Sequence, residues 1–264
     1  MDWGMQNRMA RIFSPKDGRT VMLAVDHGYF LGPVSRLEDL RKTIEPLIPY
    51  ADSLMITRGA LRNCIDAKYN IPIVLRASGG NSVLDEDLSN EGLTVSIEDA
   101  LRLNVSAVAL SIYVGTPGQH QTLINLTKLI DAAQGYGIPV LAVTAVGKEL
   151  EKRDCKYLSL SCRIAAELGA NIVKTYYCEK FEEVVKSCPV PLVIAGGPKL
   201  KNEEDALEMA YQAVSCGAKG VDMGRNIWQS RWPIPMITAI RHIVHENATA
   251  QKACDLFHEL KEAK

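Results

Sequence analysis

Eight short apolar runs, alternating with amphipathic stretches, constrain the fold of this chain more than any other feature of its sequence. Each run is almost continuously apolar and rich in Val, Ile and Ala, which is typical of parallel strands covered on both faces. In the intervening stretches, apolar residues recur three and four positions apart, the period of a helix that faces a core. The predicted strands are 21–26, 53–57, 73–76, 107–113, 140–144, 172–175, 192–195 and 220–223, and the clearest helices are 37–48, 121–133, 158–168, 203–216 and 235–245.

Eight strand–helix units in 264 residues predict an α/β protein with a single (β/α)8 barrel domain over residues 1–264. A doubly wound sheet is the alternative, but its Gly-rich dinucleotide fingerprint does not follow the first strand. Residues 2–18 are expected to cover the barrel floor. Residues 247–264 are expected to form an extra C-terminal helix, with Asn247 or Thr249 as its N-cap. The long polar stretch 78–96 is predicted to be a functional loop or lid.

The composition limits the kinds of partner that the protein is expected to bind. The formal net charge is −1 and no basic block stands out, so binding to nucleic acid or to an anionic membrane is not expected. No apolar run is long enough to span a bilayer. The seven cysteines are scattered without zinc-site spacing, and the first residues do not resemble a secretory signal. We therefore expect a cytoplasmic protein with reduced thiols and no bound metal.

Lys174 is unusual because it lies inside one of the apolar runs, between Val173 and Thr175. Lysine is almost never fully buried unless a partner holds it there. Burial disfavours its charged form, and a neutral amine in a dry pocket is the nucleophile that forms a Schiff base with a carbonyl substrate. We predict that Lys174 is a catalytic amine. The alternative is a lysine at a strand end that extends its ammonium group to water.

Two glycine-containing loops at the ends of the last strands predict a phosphate site. Gly196 and Gly197 follow the seventh strand, and Gly224 and Arg225 follow the eighth. The loops after these strands form the usual phosphate site of a barrel, where backbone N–H groups approach the anion closely. Arg225 can add a charge-assisted contact. The alternative is that Gly196 and Gly197 only turn the chain.

Other polar residues lie at the ends of the first, third and fourth strands, and active sites of barrels gather at these ends. Asp26 and His27 are predicted to carry protons, with His27 suited to neutral pH by an ordinary pKa near 6.5. A loop cap and a structural histidine are their alternatives. Arg76 and Tyr113 are predicted to bind the substrate, although strand ends also carry residues that only hold neighbouring loops.

Several motifs together make the chain similar to the DhnA-type class I aldolases, a family of (β/α)8 barrels. The motifs are Asp26-His27-Gly28, Ile172-Val173-Lys174-Thr175, Val193-Ile194-Ala195-Gly196-Gly197 and Met223-Gly224-Arg225-Asn226. The resemblance covers nearly the whole chain and is strongest to the branch that acts in autoinducer-2 degradation. The chain starts at what resembles an internal point of those enzymes, so we expect an N-terminal segment to be shorter here or absent.

The resemblance implies a Schiff-base acyltransferase. Its expected substrate is 3-hydroxy-5-phosphonooxypentane-2,4-dione, and coenzyme A is the expected co-substrate, with dihydroxyacetone phosphate and acetyl-coenzyme A as products. Lys174 would form the imine, Asp26 and His27 would move protons, and the two glycine loops with Arg225 would hold the phosphate. The resemblance also implies a homo-oligomer, commonly a decamer, and no tightly bound cofactor.

One stretch departs from the archaeal fructose-bisphosphate aldolases of this family, in which a tyrosine at the end of the fifth strand donates a proton. Residues 142–147 contain no tyrosine here, which argues against simple fructose-bisphosphate aldolase activity. Two alternatives stay open: a class I aldolase or transaldol-type synthase acting on another phosphorylated sugar, and a non-catalytic barrel that binds a phosphorylated signal.

Overall fold

A computed structural model describes residues 2–147 and 153–263, and its centre is a closed barrel of eight parallel strands. Each strand pairs with its neighbours in the chain, and the first strand closes the barrel against the last. The strands are β1 Thr20–Ala24, β2 Ser53–Thr57, β3 Ile73–Arg76, β4 Ala107–Val114, β5 Val140–Val146, β6 Ile172–Tyr176, β7 Leu192–Ala195 and β8 Gly220–Met223. The predicted (β/α)8 barrel is confirmed, with strand ends displaced by at most two residues.

Helices surround this barrel. They are Trp3–Ile12, Gly28–Leu31, Leu40–Ile44, Arg58–Cys64, Ile97–Arg102, Gln119–Gln134, Cys155–Glu167, Phe181–Ser187, Glu203–Ser215, Arg225–Trp228, Pro233–Glu246 and Ala250–Glu262, with 3₁₀ turns at Glu45–Tyr50 and Ala67–Tyr69. The predicted helix 37–48 is an α-helix only over Leu40–Ile44 and continues as the 3₁₀ turn Glu45–Tyr50. Pro46 and Pro49 lack the N–H groups that a continuous α-helix needs. No helix in the described part of the chain is both long and apolar enough to cross a membrane.

The structure confirms a floor-covering N-terminal segment and an extra C-terminal helix. Trp3–Ile12 covers the barrel floor, where fully buried Ile12 packs with the inward side chains Met22 and Met55. The C-terminal helix Ala250–Glu262 is capped by Thr249, whose hydroxyl accepts a hydrogen bond from the backbone N–H of Lys252.

Alternation along the strands decides which side chains enter the barrel. Every second residue of each strand points inward, and these residues fill the lower interior with apolar side chains, among them Ala24, Val74 and Ile172. The next inward position toward the C-terminal end on β6 is Lys174, which pairs in register with Val193 of β7. Among the described residues, the charged side chains Arg76, Lys174 and Asp222 lie toward the C-terminal ends of their strands, whereas the buried polar residues at the lower end, Thr20 and Ser53, are uncharged.

His245 joins three segments at the floor of the barrel. Its Nδ1 lies 2.7 Å from Asp17 Oδ2, and its Nε2 lies 2.8 Å from Asp52 Oδ2. Asp52 also accepts a hydrogen bond from the backbone N–H of Val21. The hydrogen bond to Asp52 raises the pKa of His245 above its ordinary value of 6.5. Burial acts to raise the pKa of Asp17 and of Asp52. Hydrogen bonds, including those from His245, oppose burial, and the pKa of both aspartates is lowered.

This cluster makes stability depend on pH. The contribution of protonated His245 is complete below pH 6.5 and is lost as the pH rises through its raised folded pKa. The aspartates contribute above their ordinary pKa of 3.8 and lose their effect as the pH falls through their lowered folded values. We expect His245→Gln to lower the free energy of unfolding by about 1–3 kcal/mol near pH 6 and by less near pH 9.

Urea unfolding at the two pH values measures this effect. His242→Gln is the matched control, because His242 forms an i,i+4 pair with an exposed Glu246 on the same helix. Its loss should cost less than about 1 kcal/mol. Equal destabilisation by His245→Gln at both pH values would contradict the assignment.

Candidate active site

One pocket at the C-terminal end of the barrel brings the predicted site residues together. Its lining includes Asp26, His27, Arg76, Tyr113, Lys174, Gly196, Gly197, Gly224 and Arg225. These residues come from strands far apart in the chain, and barrel closure places their C-terminal ends around one opening. The predicted site residues therefore share one pocket. The contacts of each residue indicate which role it can have.

Lys174 is buried, and its amine has the partner that a buried lysine requires. Its Nζ lies 2.8 Å from Oδ2 of Asp222 and 3.7 Å from Sδ of Met55. Asp222 is on β8 and its side chain is fully buried. Lys174 therefore has a dedicated carboxylate partner, which can hold the amine in place and accept its proton.

Asp222 is a functional candidate that the sequence analysis missed. Burial raises the pKa of its carboxyl group, although the charge of Lys174 partly offsets this effect. A sequence signal was present, since a carboxylate inside the apolar run Gly220–Met223 is as unusual as a lysine inside Ile172–Tyr176. Pairing the two requires knowing that β6 and β8 both project these residues into the barrel.

Asp26 forms a second buried ion pair in the pocket. Its Oδ2 accepts hydrogen bonds from Nε of Arg76 at 2.8 Å and from Nη2 at 2.7 Å. Burial alone would raise the pKa of Asp26, but nearby positive charges, that of Arg76 foremost, together with a hydrogen bond from Arg76 outweigh burial and lower the pKa to about 2. Asp26 is therefore a carboxylate at neutral pH and a weak base, suited to stabilising a neighbouring positive charge.

Arg76 is fully engaged by protein groups. Besides Asp26, it donates from Nη1 to Oγ of Ser111 at 2.8 Å, and its guanidinium lies 5.1 Å from the ring centre of Tyr29. The contacts favour the alternative role left open for Arg76, in which it holds neighbouring groups. Arg76 orients Asp26 and is not free to bind a phosphate.

The protonation state of His27 differs from the predicted one. Its Nδ1 lies 3.8 Å from Oδ1 of Asp26, and its ring packs edge-on against Trp228 with 5.5 Å between the ring centres. Burial lowers the pKa of His27 to about 4, although the charge of Asp26 acts in the opposite direction. The predicted pKa near 6.5 is wrong because the sequence does not reveal this burial. His27 is a neutral imidazole at neutral pH.

The loops after β7 and β8 form the end of the pocket predicted to bind phosphate. Gly197 has a positive φ of 67°, and a Cβ on Gly224 would collide with the carbonyl oxygen of Ala24. Asn226 joins the two loops: its Nδ2 donates to the carbonyl oxygen of Gly196 at 2.7 Å. Nε of Arg225 is buried without a hydrogen-bond partner among the described residues. These features suit an anion.

Arg153 adds a second cation to this end, and the sequence analysis missed it. Its guanidinium stacks on Tyr176, 3.9 Å from the ring centre. Its Nη1 lies 3.9 Å from the position that a Cβ on Gly197 would occupy. Burial, together with the charge of Arg153, lowers the pKa of Arg225. No sequence pattern marked Arg153, because it follows β5 at some distance and does not lie at a strand end.

The loop 78–96 forms the opposite side of the pocket, where Glu91 is the central residue. Buried Glu91 accepts hydrogen bonds from the hydroxyl groups of Tyr29 at 2.6 Å, Tyr113 at 2.8 Å and Ser78 at 2.6 Å. Burial, with the charge of Glu91, raises the pKa of Tyr113. The hydroxyl of Tyr113 is therefore bound to a neighbouring loop, and the predicted substrate contact through this hydroxyl is not favoured.

Loop 78–96 also carries residues that line the pocket, Asn81 and Leu88. A short antiparallel hairpin, Ser78–Gly79 with Gly92–Leu93, closes the base of the loop. The loop thus forms part of the candidate site, as predicted, and Glu91 fixes it to the barrel.

The chain is similar to known aldolases and thiolases. The model of the DeoC/LacD family of aldolases matches residues 20–230. The 3-hydroxy-5-phosphonooxypentane-2,4-dione thiolase of Enterobacter sp. (strain 638) is 57% identical, covering 99% of this chain and 88% of that protein. The thiolase of the same name from Yersinia enterocolitica is also 57% identical, covering 98% and 89%.

Solved structures give a consistent result. An archaeal fructose 1,6-bisphosphate aldolase superposes with a TM-score of 0.82 at 27% identity, covering 92% of this chain and 99% of that one. An archaeal aldolase whose catalytic lysine is covalently bound to the carbinolamine intermediate also gives 0.82, at 28% identity, covering 91% and 99%.

The protonation of His27 can be tested directly. We expect its imidazole to stay neutral from pH 8 down to about pH 5, because burial lowers its pKa to about 4. Multiple-bond ¹H–¹⁵N spectra recorded across this range report the protonation state, and His27→Gln identifies the signals. A midpoint near 6.5 would contradict the burial argument.

Proposed function

Because this chain belongs to the DeoC/LacD family of aldolases, we propose that it is a Schiff-base thiolase. It cleaves 3-hydroxy-5-phosphonooxypentane-2,4-dione with coenzyme A, giving dihydroxyacetone phosphate and acetyl-coenzyme A. The buried Lys174–Asp222 pair, at 2.8 Å in a pocket with a cationic end, is the observation that carries the proposal. The names of relatives that are 57% identical over nearly the whole chain support the choice of substrate.

The reaction begins at Lys174. Asp222 takes a proton from the ammonium group, and the amine attacks the ketone carbon next to the phosphorylated carbon. Loss of water from the carbinolamine gives an iminium ion. Asp222 suits this step because burial raises its pKa and because it lies within hydrogen-bond distance of the amine.

The thiol of coenzyme A then attacks the acetyl carbonyl, and its proton passes to the neutral imidazole of His27, whose charged form the Asp26 carboxylate stabilises. The tetrahedral adduct collapses with cleavage of the bond between the acetyl carbon and the hydroxyl-bearing carbon. The electron pair of that bond enters the iminium and forms an enamine. His27 then gives this proton to the enamine carbon, and hydrolysis of the resulting iminium releases dihydroxyacetone phosphate and Lys174.

The phosphate lies at the loops after β7 and β8. Backbone N–H groups near Gly197 and Gly224 approach it closely, and Arg225 supplies charge. Fixing the phosphate there positions the adjacent ketone for attack by Lys174, which lowers the entropic cost of imine formation. We propose further that the enzyme is a cytoplasmic homo-oligomer, a decamer by resemblance, that acts in autoinducer-2 degradation.

An aldolase acting on another phosphorylated sugar is the second candidate, favoured by the similarity to archaeal fructose 1,6-bisphosphate aldolases. It shares the imine chemistry and the phosphate end but needs no coenzyme A. Incubation of the protein with the phosphorylated dione, with and without coenzyme A, separates the two by mass spectrometry of the products. Formation of acetyl-coenzyme A supports the thiolase, whereas cleavage at the same rate without coenzyme A contradicts it.

Lys174→Met should abolish both turnover and borohydride trapping of dihydroxyacetone phosphate, because methionine has no nucleophilic nitrogen. Circular dichroism and urea unfolding check that the variant folds, since it leaves Asp222 buried without its partner. Lys68→Met is the control, because Lys68 is exposed and its ion pair with nearby Asp66 lies outside the pocket. A folded Lys174→Met variant with the wild-type rate would refute the Schiff-base mechanism.

Arg225→Ala should raise the KM of the phosphorylated dione about tenfold to a hundredfold, because a charge-assisted hydrogen bond contributes about 1.5–3 kcal/mol. The KM of the dephosphorylated analogue should change little. Arg163→Ala is the control, because Arg163 is exposed and pairs with Glu167 outside the pocket. Equal changes for both substrates would show that Arg225 does not recognise the phosphate.

A further inference from the structure

The pocket has two ends of different chemistry. The phosphate loops follow β7 and β8, and in the closed strand order the strands opposite them are β3 and β4. Three side chains that line the pocket form what we name the acyl wall: Leu88 after β3, Tyr113 at the end of β4, and Phe30. Phe30 follows β1, but its carbonyl oxygen accepts a hydrogen bond from the backbone N–H of Val83 in loop 78–96, on this opposite side. A substrate that reaches across the barrel from the phosphate loops meets this wall with its far end.

The acyl wall presents carbon because its polar atoms are held elsewhere. The hydroxyl of Tyr113 donates to Glu91 at 2.8 Å, and the neighbouring hydroxyl of Tyr29 donates to the same carboxylate oxygen at 2.6 Å. Phe30 and Leu88 have no polar side-chain atoms. The pocket is also lined by the small apolar side chains Val143 and Ala145 of β5. Asn81, Ser111 and Thr144 also line the pocket, and Oδ1 of Asn81 is buried without a hydrogen-bond partner among the described residues. The apolar surface offered to the far end of a substrate is therefore that of the acyl wall and of Val143 and Ala145.

None of the described residues on this side of the pocket supplies a free cation for a second phosphate. Among the described residues that line the pocket, the basic groups besides neutral His27 are Lys174, Arg76 and Arg225. Arg76 is paired with Asp26 at 2.7 Å, and Lys174 is paired with Asp222 at 2.8 Å. Arg225 lies at the phosphate loops. A second phosphate at the acyl wall would be desolvated without a compensating charge, which is costly.

We propose that the acyl wall of Phe30, Leu88 and Tyr113 seats the apolar end of the transferred acyl group. This makes the site selective for substrates with one phosphate and a short acyl terminus, and it disfavours sugar bisphosphates. The inference rests on the proposed function and deepens it, because it assigns residues to the methyl group of the acetyl unit. Leu88 is the residue best suited to a test, since it is partly exposed on a loop and outside the barrel core.

The experiment compares the phosphorylated dione with its homologue that carries one more methylene at the acyl end. Formation of the coenzyme A thioester gives kcat/KM for each. The wild type should favour the acetyl substrate by about tenfold or more, because one methylene in a packed pocket changes kcat/KM by roughly 10- to 200-fold. Leu88→Ala should reduce this preference about tenfold, and Leu88→Phe should increase it. A loss of structure alone does not produce opposite changes from the two variants.

Two controls distinguish a failure of the proposed function from a failure of the acyl-wall assignment. Leu84→Ala alters an exposed leucine of the same loop that does not line the pocket, and it should leave the preference unchanged. Borohydride trapping of dihydroxyacetone phosphate at Lys174 should be unaffected by either Leu88 variant, because that product lacks the acyl group. If the wild type forms no thioester, the proposed function fails. If it forms thioester and both Leu88 variants keep the wild-type preference, the assignment of the acyl wall is overturned.

Discussion

The ion pair between Lys174 and Asp222 is the interaction on which the candidate site depends. Both side chains are buried, and each alone would be too costly to keep charged in the barrel. Their 2.8 Å contact reduces this cost and gives the amine an immediate proton acceptor. Beneath Lys174 the barrel interior is mostly apolar, so the pair lies at the boundary between that interior and the pocket.

A second pair, Asp26 with Arg76, balances the first. Together the two pairs place two positive and two negative charges in one low-dielectric space without a net charge. Arg76 keeps Asp26 ionised, whereas burial favours the neutral form of Asp222. Two carboxyl groups in one pocket thus have opposite pKa changes, an arrangement that suits them to different roles in proton transfer. Neutral His27 beside Asp26 adds a group that can either donate or accept.

Unlike the two ion pairs, Glu91 has a structural role in the site. It gathers hydroxyl groups from Tyr29, Tyr113 and Ser78 and so fixes the loop 78–96 against the barrel. Because those hydroxyls point to Glu91, the aromatic rings form a carbon surface on one side of the pocket. The cations Arg225 and Arg153 gather at the other side. The polarity of the pocket therefore runs from an anion-binding end to an apolar end, with Lys174 contributed by a strand between them.

The sequence by itself determined the barrel, its eight strands and the side-chain types at their ends, because apolar periodicity and strand length are local properties of the chain. It also identified Lys174, whose charge contradicts the run that contains it. It did not determine the partner of Lys174, the pKa of His27 or the use of the Arg76 and Tyr113 polar groups. Asp222, Glu91 and Arg153 are distant in the chain from the groups they contact. Only the tertiary structure decided these features, because pairing and desolvation depend on which strands and loops the closed barrel brings together.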